Sequence, residues 1–178
     1  MSVAREGPGA AVLDRKLFVC GGKGAGASVA MSDCEHYDPS TGNWSATANL
    51  PKALGLCSAA VYNGQLVCAG NGQTVGGGLN MPGAVYVLEE ARGKMAWRAM
   101  PDRVVTAEAT AVALEVLNGS LVAVASAGVE EFDPVTSEWH PLPQSRVRHF
   151  GCDAAVIPPA KPSSLGTPRT PVIGGAGR

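Results

Sequence analysis

The sequence predicts an all-β fold made of three four-stranded antiparallel sheets followed by half of a fourth. Three observations lead to this prediction. The chain repeats itself about every 50 residues, its apolar residues fall in short runs bounded by turn residues, and it shows hardly any helical periodicity. Among 178 residues, 23 glycines and 13 prolines exceed ordinary usage and indicate many tight turns. A hydrophobic content of 46% is sufficient for a core.

The first half of each repeat is an apolar hairpin. Residues 12–22 align without a gap with residues 61–71 and with residues 116–126, and a fourth copy is split by a proline-rich insert. Asn63-Gly64 and Asn118-Gly119 separate the two apolar runs of their hairpins, where a type I′ turn suits the twist of the strands. We therefore predict four hairpins, at residues 9–20, 58–68, 111–125 and 152–173.

The second half of each repeat ends in a tryptophan. Tyr37-Asp38-Pro39 and Trp44 match Phe132-Asp133-Pro134 and Trp139 in spacing, and the middle copy keeps Trp97 without the Asp-Pro turn. We predict third strands at residues 34–37, 84–88 and 130–132, and fourth strands around the three tryptophans. Large aromatic side chains at repeated positions are expected to pack between neighbouring sheets.

The glycine doublet Gly21-Gly22, the Tyr37-Asp38-Pro39 turn, Trp44 and the period near 50 resemble kelch repeats, the units of one class of β-propeller. The resemblance implies a kelch-type β-propeller arc of three four-stranded blades plus half of a fourth, not closed within this chain. The predicted units are repeat 1 at 1–51, a degenerate repeat 2 at 52–101, repeat 3 at 102–143 and a partial repeat 4 at 144–178. We expect the chain to be a fragment of a longer kelch protein, or to complete a ring with further copies.

Composition also bounds the partners and the compartment. Charged residues make up 16% of the chain and the net charge is −1, so nothing favours a nucleic acid or a membrane surface as partner. Five cysteines without a CxxC pair fit a reducing compartment. The first 20 residues lack the apolar run of a signal peptide. We predict a cytoplasmic protein, with the nucleus as the alternative.

No pattern of catalytic or ligand-binding residues stands out. The glycine-rich segment at 22–28 lacks the spacing of a phosphate-binding loop, and His36, His140 and His149 are scattered. The kelch-type propellers include a copper oxidase acting on galactose and a sialic-acid mutarotase, but no matching set of Tyr, Cys and His can be mapped here. We therefore predict no catalytic, cofactor or metal residues, and a protein that is not an enzyme.

One side of the predicted propeller collects basic residues. In an antiparallel blade, the loop between strands two and three emerges on the same side as the link to the next blade. The predicted protein-binding face on this side comprises Arg5, Lys23, Lys52, Gln73, Arg103, Arg146 and Arg148.

In kelch adaptor proteins, acidic peptide motifs bind on this face. The resemblance therefore implies a protein–protein interaction module, a substrate-recognition or scaffold part of a larger adaptor whose ligand is a protein or an acidic peptide. The alternative is a fragment of a kelch-type enzyme acting on sugars, like the galactose oxidase or the mutarotase.

Open blade edges generate a prediction about assembly. An arc of three and a half blades leaves apolar faces and unpaired backbone groups uncovered. We expect the isolated 178-residue chain to self-associate or to be poorly soluble, and added blades to restore a compact monomer. Light scattering coupled to size-exclusion chromatography measures this. A sharp 18.1 kDa monomer with cooperative melting would contradict the expectation.

Overall fold

The computed structural model describes residues 1–24, 29–72, 81–103, 112–125 and 128–143, with the backbone alone at 81–83. These residues form strands and no helix. The strands are β1 (Arg5–Glu6), β2 (Gly9–Leu13), β3 (Lys16–Cys20), β4 (Lys23–Gly24), β5 (Cys34–Asp38), β6 (Asn43–Ala46), β7 (Gly55–Tyr62), β8 (Gln65–Gly72), β9 (Met81–Ala91), β10 (Lys94–Ala99), β11 (Val112–Leu117), β12 (Ser120–Ala125), β13 (Gly128–Asp133) and β14 (Glu138–Pro141).

Twelve of these strands form three four-stranded antiparallel meanders, which confirms the predicted blades. Blade 1 has the order β2-β3-β5-β6, blade 2 the order β7-β8-β9-β10, and blade 3 the order β11-β12-β13-β14. The predicted half blade at 144–178 lies outside the described residues. Strands β1 and β4 pair with each other in a two-stranded sheet that the sequence did not predict.

Local turn chemistry explains where the strands reverse. Asn63 and Gly64 both have positive φ values, 49° and 75°, and Asn118 and Gly119 have 52° and 88°. Positive φ at both central residues is the requirement of a type I′ turn, so these predicted turns are confirmed.

The Asp-Pro turns between the third and fourth strands are held by their aspartates. The carboxylate of Asp38 accepts a hydrogen bond from the backbone N–H of Ser40 at 2.9 Å, and that of Asp133 accepts one from Val135 at 2.8 Å. A side chain that bonds its own backbone two residues ahead mimics a turn and fixes it. The two repeats therefore use the same residue for the same local purpose.

Blade 2 is buried on both faces. The first strands of the three blades, β2, β7 and β11, lie side by side, so the blades stack through their faces. Along β8, Leu66 and Cys68 point into the core shared with blade 1, while Val67 and Ala69 point into the core shared with blade 3, and all four are 0% exposed. A strand buried on both faces needs a continuous apolar run, which the sequence supplies here.

The tryptophans join neighbouring blades, as predicted, at two places. The indole N–H of Trp97 in blade 2 donates to the carbonyl oxygen of Ala48, beyond the last strand of blade 1, at 2.8 Å. Trp139 of blade 3 donates in the same way to Pro101, beyond the last strand of blade 2, at 3.1 Å. Trp44 packs on Tyr37 within its own blade, with ring centroids 5.4 Å apart.

The described part of the loop between the second and third strands of blade 1 lies beside the segments that enter blade 1 and blade 2, which is the arrangement expected from the sequence. Strand β4, in this loop, pairs with β1. Farther along the same loop, Met31 pairs with Leu54 of the link from blade 1 to blade 2, whose N–H donates to the Met31 carbonyl at 3.0 Å. This side is called the loop side below. A search of the described residues for a helix long and apolar enough to cross a bilayer found none.

The indole bond of Trp139 should be measurable. Trp139 is 2% exposed, so Trp139→Phe keeps an aromatic ring in the core but removes the N–H that Pro101 accepts. We expect the free energy of unfolding to fall by about 1 kcal/mol. Urea unfolding followed by far-UV circular dichroism measures it. Trp44→Phe is the matched control, with an expected change within about 0.5 kcal/mol; equal losses in both variants would refute the inter-blade role.

Candidate functional site

The described members of the predicted basic face differ in their exposure. Lys52 is exposed and Lys23 is half-buried in β4, whereas the side chain of Arg5 is only 1% exposed. Burial lowers the pKa of Arg103, with the opposing effect of the Glu130 charge. Gln73, Arg146 and Arg148 lie outside the described residues. Among the four described residues, Lys52 alone is fully presented to a partner.

Arg5 is committed to a buried ion pair. Its guanidinium lies 3.3 Å from the carboxylate of Glu35 and donates to the backbone carbonyls of Asp33 at 2.8 Å and Gly21 at 3.2 Å. The N–H of Ser2 also donates to Glu35, at 2.9 Å. This hydrogen bond, helped by the Arg5 charge, holds the pKa of Glu35 below its ordinary range against the effect of burial. Arg5 therefore ties the segment before blade 1 to the second and third strands of that blade.

The same position recurs with different chemistry in the other blades. Aligning the blades on their tryptophans places Glu35, Tyr86 and Glu130 at one position of the third strand. Glu130 is 1% exposed and interacts electrostatically with Arg103 of the link before blade 3. In blade 2 the position holds the buried Tyr86. A structural role thus accounts for the basic residue before blades 1 and 3. The signal was available in the sequence, since Glu35 and Glu130 stand two residues before matched aromatics.

A groove opens between the facing sides of blades 2 and 3, and sequence reasoning did not find it. Its volume is about 520 Å³, and Tyr62, Phe132 and Met100 are among its lining side chains. The rings of Tyr62 and Phe132 meet edge to face with centroids 6.4 Å apart. Asn63 and Ser137 line it from the turns of the two blades. The groove therefore combines apolar side chains with polar groups at its rim.

Arg98 supplies the charge of this groove. Its guanidinium forms an ion pair with Glu89 of the neighbouring strand, at 2.8 Å from Nη2 and 2.9 Å from Nε. The Arg98 side chain is 58% exposed, so the pair is screened by solvent and contributes little to stability. The pair instead orients the guanidinium at the edge of the groove.

Metal-ligating residues do not converge in the part of the chain that the structure describes. No group of three or more His, Cys, Asp and Glu side chains is found there. His140 approaches Asp133 at 3.9 Å within blade 3. The absence of a cofactor stays a prediction.

Comparison with known proteins identifies the repeat and the fold. Residues 4–51 match the family model of the Kelch motif. The solved structure of YjhT superposes with a TM-score of 0.64 at 15% sequence identity, over 82% of this chain and 56% of that one. The chain carries a Kelch motif at residues 4–51, and its described strands have the fold of a partial β-propeller. A search of curated proteins found no match.

This partial propeller spans just over half the length of YjhT. The comparison corrects one expectation from the sequence, namely that the protein is not an enzyme. YjhT has the same fold and is a sugar-acting enzyme, so neither the fold nor the lack of a mapped catalytic pattern in this sequence argues against catalysis.

Removing the Arg5 guanidinium tests its structural role. Arg5→Met leaves the Glu35 carboxylate buried without its cation, and we expect the free energy of unfolding to fall by about 3 kcal/mol. A carboxyl with a lowered folded-state pKa stabilises the fold above its ordinary pKa, and this contribution is lost as the pH falls through the folded-state value. Since Arg5→Met raises that value, the variant should begin to lose stability at a higher pH than the wild type.

Urea unfolding between pH 3 and pH 7 would measure both effects. Lys52→Met is the matched control, because Lys52 is exposed and should change stability by no more than about 0.5 kcal/mol. If Arg5→Met is as stable as the wild type, the structural role of Arg5 is wrong, and Arg5 is again a candidate for binding a ligand.

Proposed function

We propose that this partial propeller is a protein-interaction module, and that it holds one side chain of an extended peptide ligand in the groove between blades 2 and 3. The observation that supports the proposal most is the groove itself. Its volume of about 520 Å³ lies in the range of small-ligand pockets and exceeds the size of any single side chain. The lining types Tyr, Phe, Met and Arg are those enriched in protein interfaces.

The chemistry of the lining defines the ligand side chain. Tyr62, Phe132 and Met100 offer apolar and aromatic surface, which suits an aromatic or long aliphatic side chain. Asn63 and Arg98 at the rim can bond the backbone carbonyls of the same peptide. On the loop side, the exposed Lys52 suits an acidic residue of a ligand. The groove is the principal site in this proposal and Lys52 is secondary.

A groove-filling variant tests the proposal. Gln65 lines the groove, and Gln65→Trp should occupy its space. Peptides selected from a displayed random library on the wild-type chain should be enriched in aromatic or aliphatic anchors, and should lose at least about tenfold in affinity for Gln65→Trp. Fluorescence anisotropy with a labelled selected peptide measures the affinity.

Two variants serve as controls. Thr41→Trp adds the same side chain at an exposed turn of blade 1 and should bind normally. Lys52→Glu tests the loop side. If peptides bind equally to Gln65→Trp but fail on Lys52→Glu, the groove proposal is wrong and the ligand occupies the loop side.

A sugar ligand is the second candidate, and the shared fold with the sugar-acting YjhT favours it. Aromatic faces such as those of Tyr62 and Phe132, with Asn63 and Arg98 at the rim, also suit a ring bearing hydroxyl and carboxylate groups. Titration with sialic acid or galactose, followed by NMR of both protein and sugar anomers, separates the candidates. Sugar binding that Gln65→Trp abolishes would support a sugar site in the groove, and anomer exchange that the same variant abolishes would support catalysis there.

The remaining expectations about partners and compartment stay predictions. They are the lack of nucleic-acid and membrane partners, self-association through open blade edges, and a cytoplasmic or nuclear location.

A further inference from the structure

Strand β7 carries an irregularity that places Cys57 out of the ladder. The pairing of β7 with β8 shifts register between Gly55 and Ser58, and Leu56 has a positive φ of 49°. The backbone N–H of Cys57 bonds instead to the carbonyl of Gly7, before the first strand of blade 1, at 2.8 Å. A bulge of this kind redirects a side chain, and here it turns Cys57 into the junction of blades 1 and 2.

The Cys57 sulfur occupies a slot between two equivalent glycines. Gly21 directly follows the second strand of blade 1, and Gly70 lies near the end of the second strand of blade 2, at matching positions of the repeat. A Cβ at Gly21 would lie 2.6 Å from Cys57 Sγ, and one at Gly70 would lie 2.9 Å from it. Only glycine at both positions leaves room for the sulfur. Gly21, the first glycine of the doublet, therefore packs against the Cys57 sulfur.

Donors converge on that sulfur. Cys68 lies in the same apolar cluster and its thiol interacts with the Cys57 sulfur, as do the backbone amides of Gly22 and Gly9. The Gly22 N–H also donates to the Leu54 carbonyl at 2.9 Å. These donors, Cys68 first, together with the charge of Arg5, lower the pKa of the Cys57 thiol against the effect of burial. The same contact and complete burial raise the pKa of Cys68. When protonated, Cys57 donates to the Leu54 carbonyl at 3.2 Å.

The two thiols therefore have complementary properties. Cys57 is half-buried and accessible in part, whereas Cys68 is 0% exposed. Cys20 and Cys34, opposite each other on β3 and β5, are joined by a disulfide, so within the described residues Cys57 and Cys68 are the free thiols. Reactive cysteines are partly exposed thiols whose pKa is lowered by donors and positive charge. Cys57 has such surroundings, and the fully buried Cys68 does not.

We propose that Cys57 and Cys68 form a site of reversible oxidation by hydroperoxides, in which Cys57 is the nucleophile and Cys68 the resolving thiol. The Cys57 thiolate attacks the terminal peroxide oxygen; the S–O bond forms, the O–O bond breaks, and the departing alkoxide takes up a proton. The resulting sulfenic acid lies against Cys68. Attack by the Cys68 sulfur forms the S–S bond, and the Cys68 proton leaves with the hydroxyl group as water.

Peptide mapping tests this with the whole chain. Trypsin releases residues 53–92 as one peptide that contains Cys57 and Cys68 and none of the other cysteines, and cleavage after Tyr62 separates the two. With native protein at pH 7, iodoacetamide should label Cys57 at least about tenfold faster than Cys68. Hydrogen peroxide should remove two hydrogens from the mass of the 53–92 peptide, and dithiothreitol should restore them.

Variants identify the roles of the two sulfurs. Cys68→Ser keeps a donor beside Cys57 but cannot form the bond, so peroxide should instead give a sulfenic acid at Cys57 that dimedone traps. Cys57→Ser should leave Cys68 unoxidised. Peptide mapping of the wild-type chain tests the proposal even if a variant fails to fold. Equal alkylation rates, an unchanged peptide mass, or a sulfenic acid that persists in the wild type beside a free Cys68 would each overturn the proposal.

Discussion

The stacking of blade faces is the constraint on which the rest of this structure depends. A single four-stranded sheet has two faces, and blade 2 buries both only because blades 1 and 3 lie against it. The consequence is visible in β8, where four successive side chains are fully buried and alternate between two cores. The indole N–H groups of Trp97 and Trp139 add directional hydrogen bonds to this apolar contact. Each donates to a backbone carbonyl just after the last strand of the preceding blade.

Equivalent positions of the three blades have the same place in the fold but different side-chain chemistry. One position of the third strand holds Glu35, Tyr86 and Glu130 in successive blades. A buried carboxylate needs a cation and further donors, which Arg5 and Ser2 supply in blade 1. Basic residues that appear in the sequence as a recurrent surface feature are therefore, at two of the blades, tied to a buried acid. A residue type that recurs at one position of a repeat should therefore first be tested for a structural role, and only then for a role in binding.

Both proposed sites lie at junctions between blades. The groove forms where blades 2 and 3 diverge beside Tyr62 and Phe132, and the reactive thiol lies where the β7 bulge meets blade 1. Junctions combine side chains from segments distant along the chain, so they offer chemistry that no single repeat contains. The match with YjhT shows the fold, and its low identity leaves the chemistry of these junctions to this chain alone.

The sequence by itself determined the local elements of this protein. Asn-Gly turns, Asp-Pro turns, apolar runs and three tryptophans specified the blades, because turn conformation and strand alternation depend on residues adjacent in the chain. Tertiary structure alone decided the burial of Arg5, the groove beside Arg98 and the surroundings of Cys57. Each of these depends on which distant backbone approaches within a few ångströms. The bulge in β7 that sets one such approach is marked in the sequence only by Gly55, and a glycine does not say which backbone will approach it.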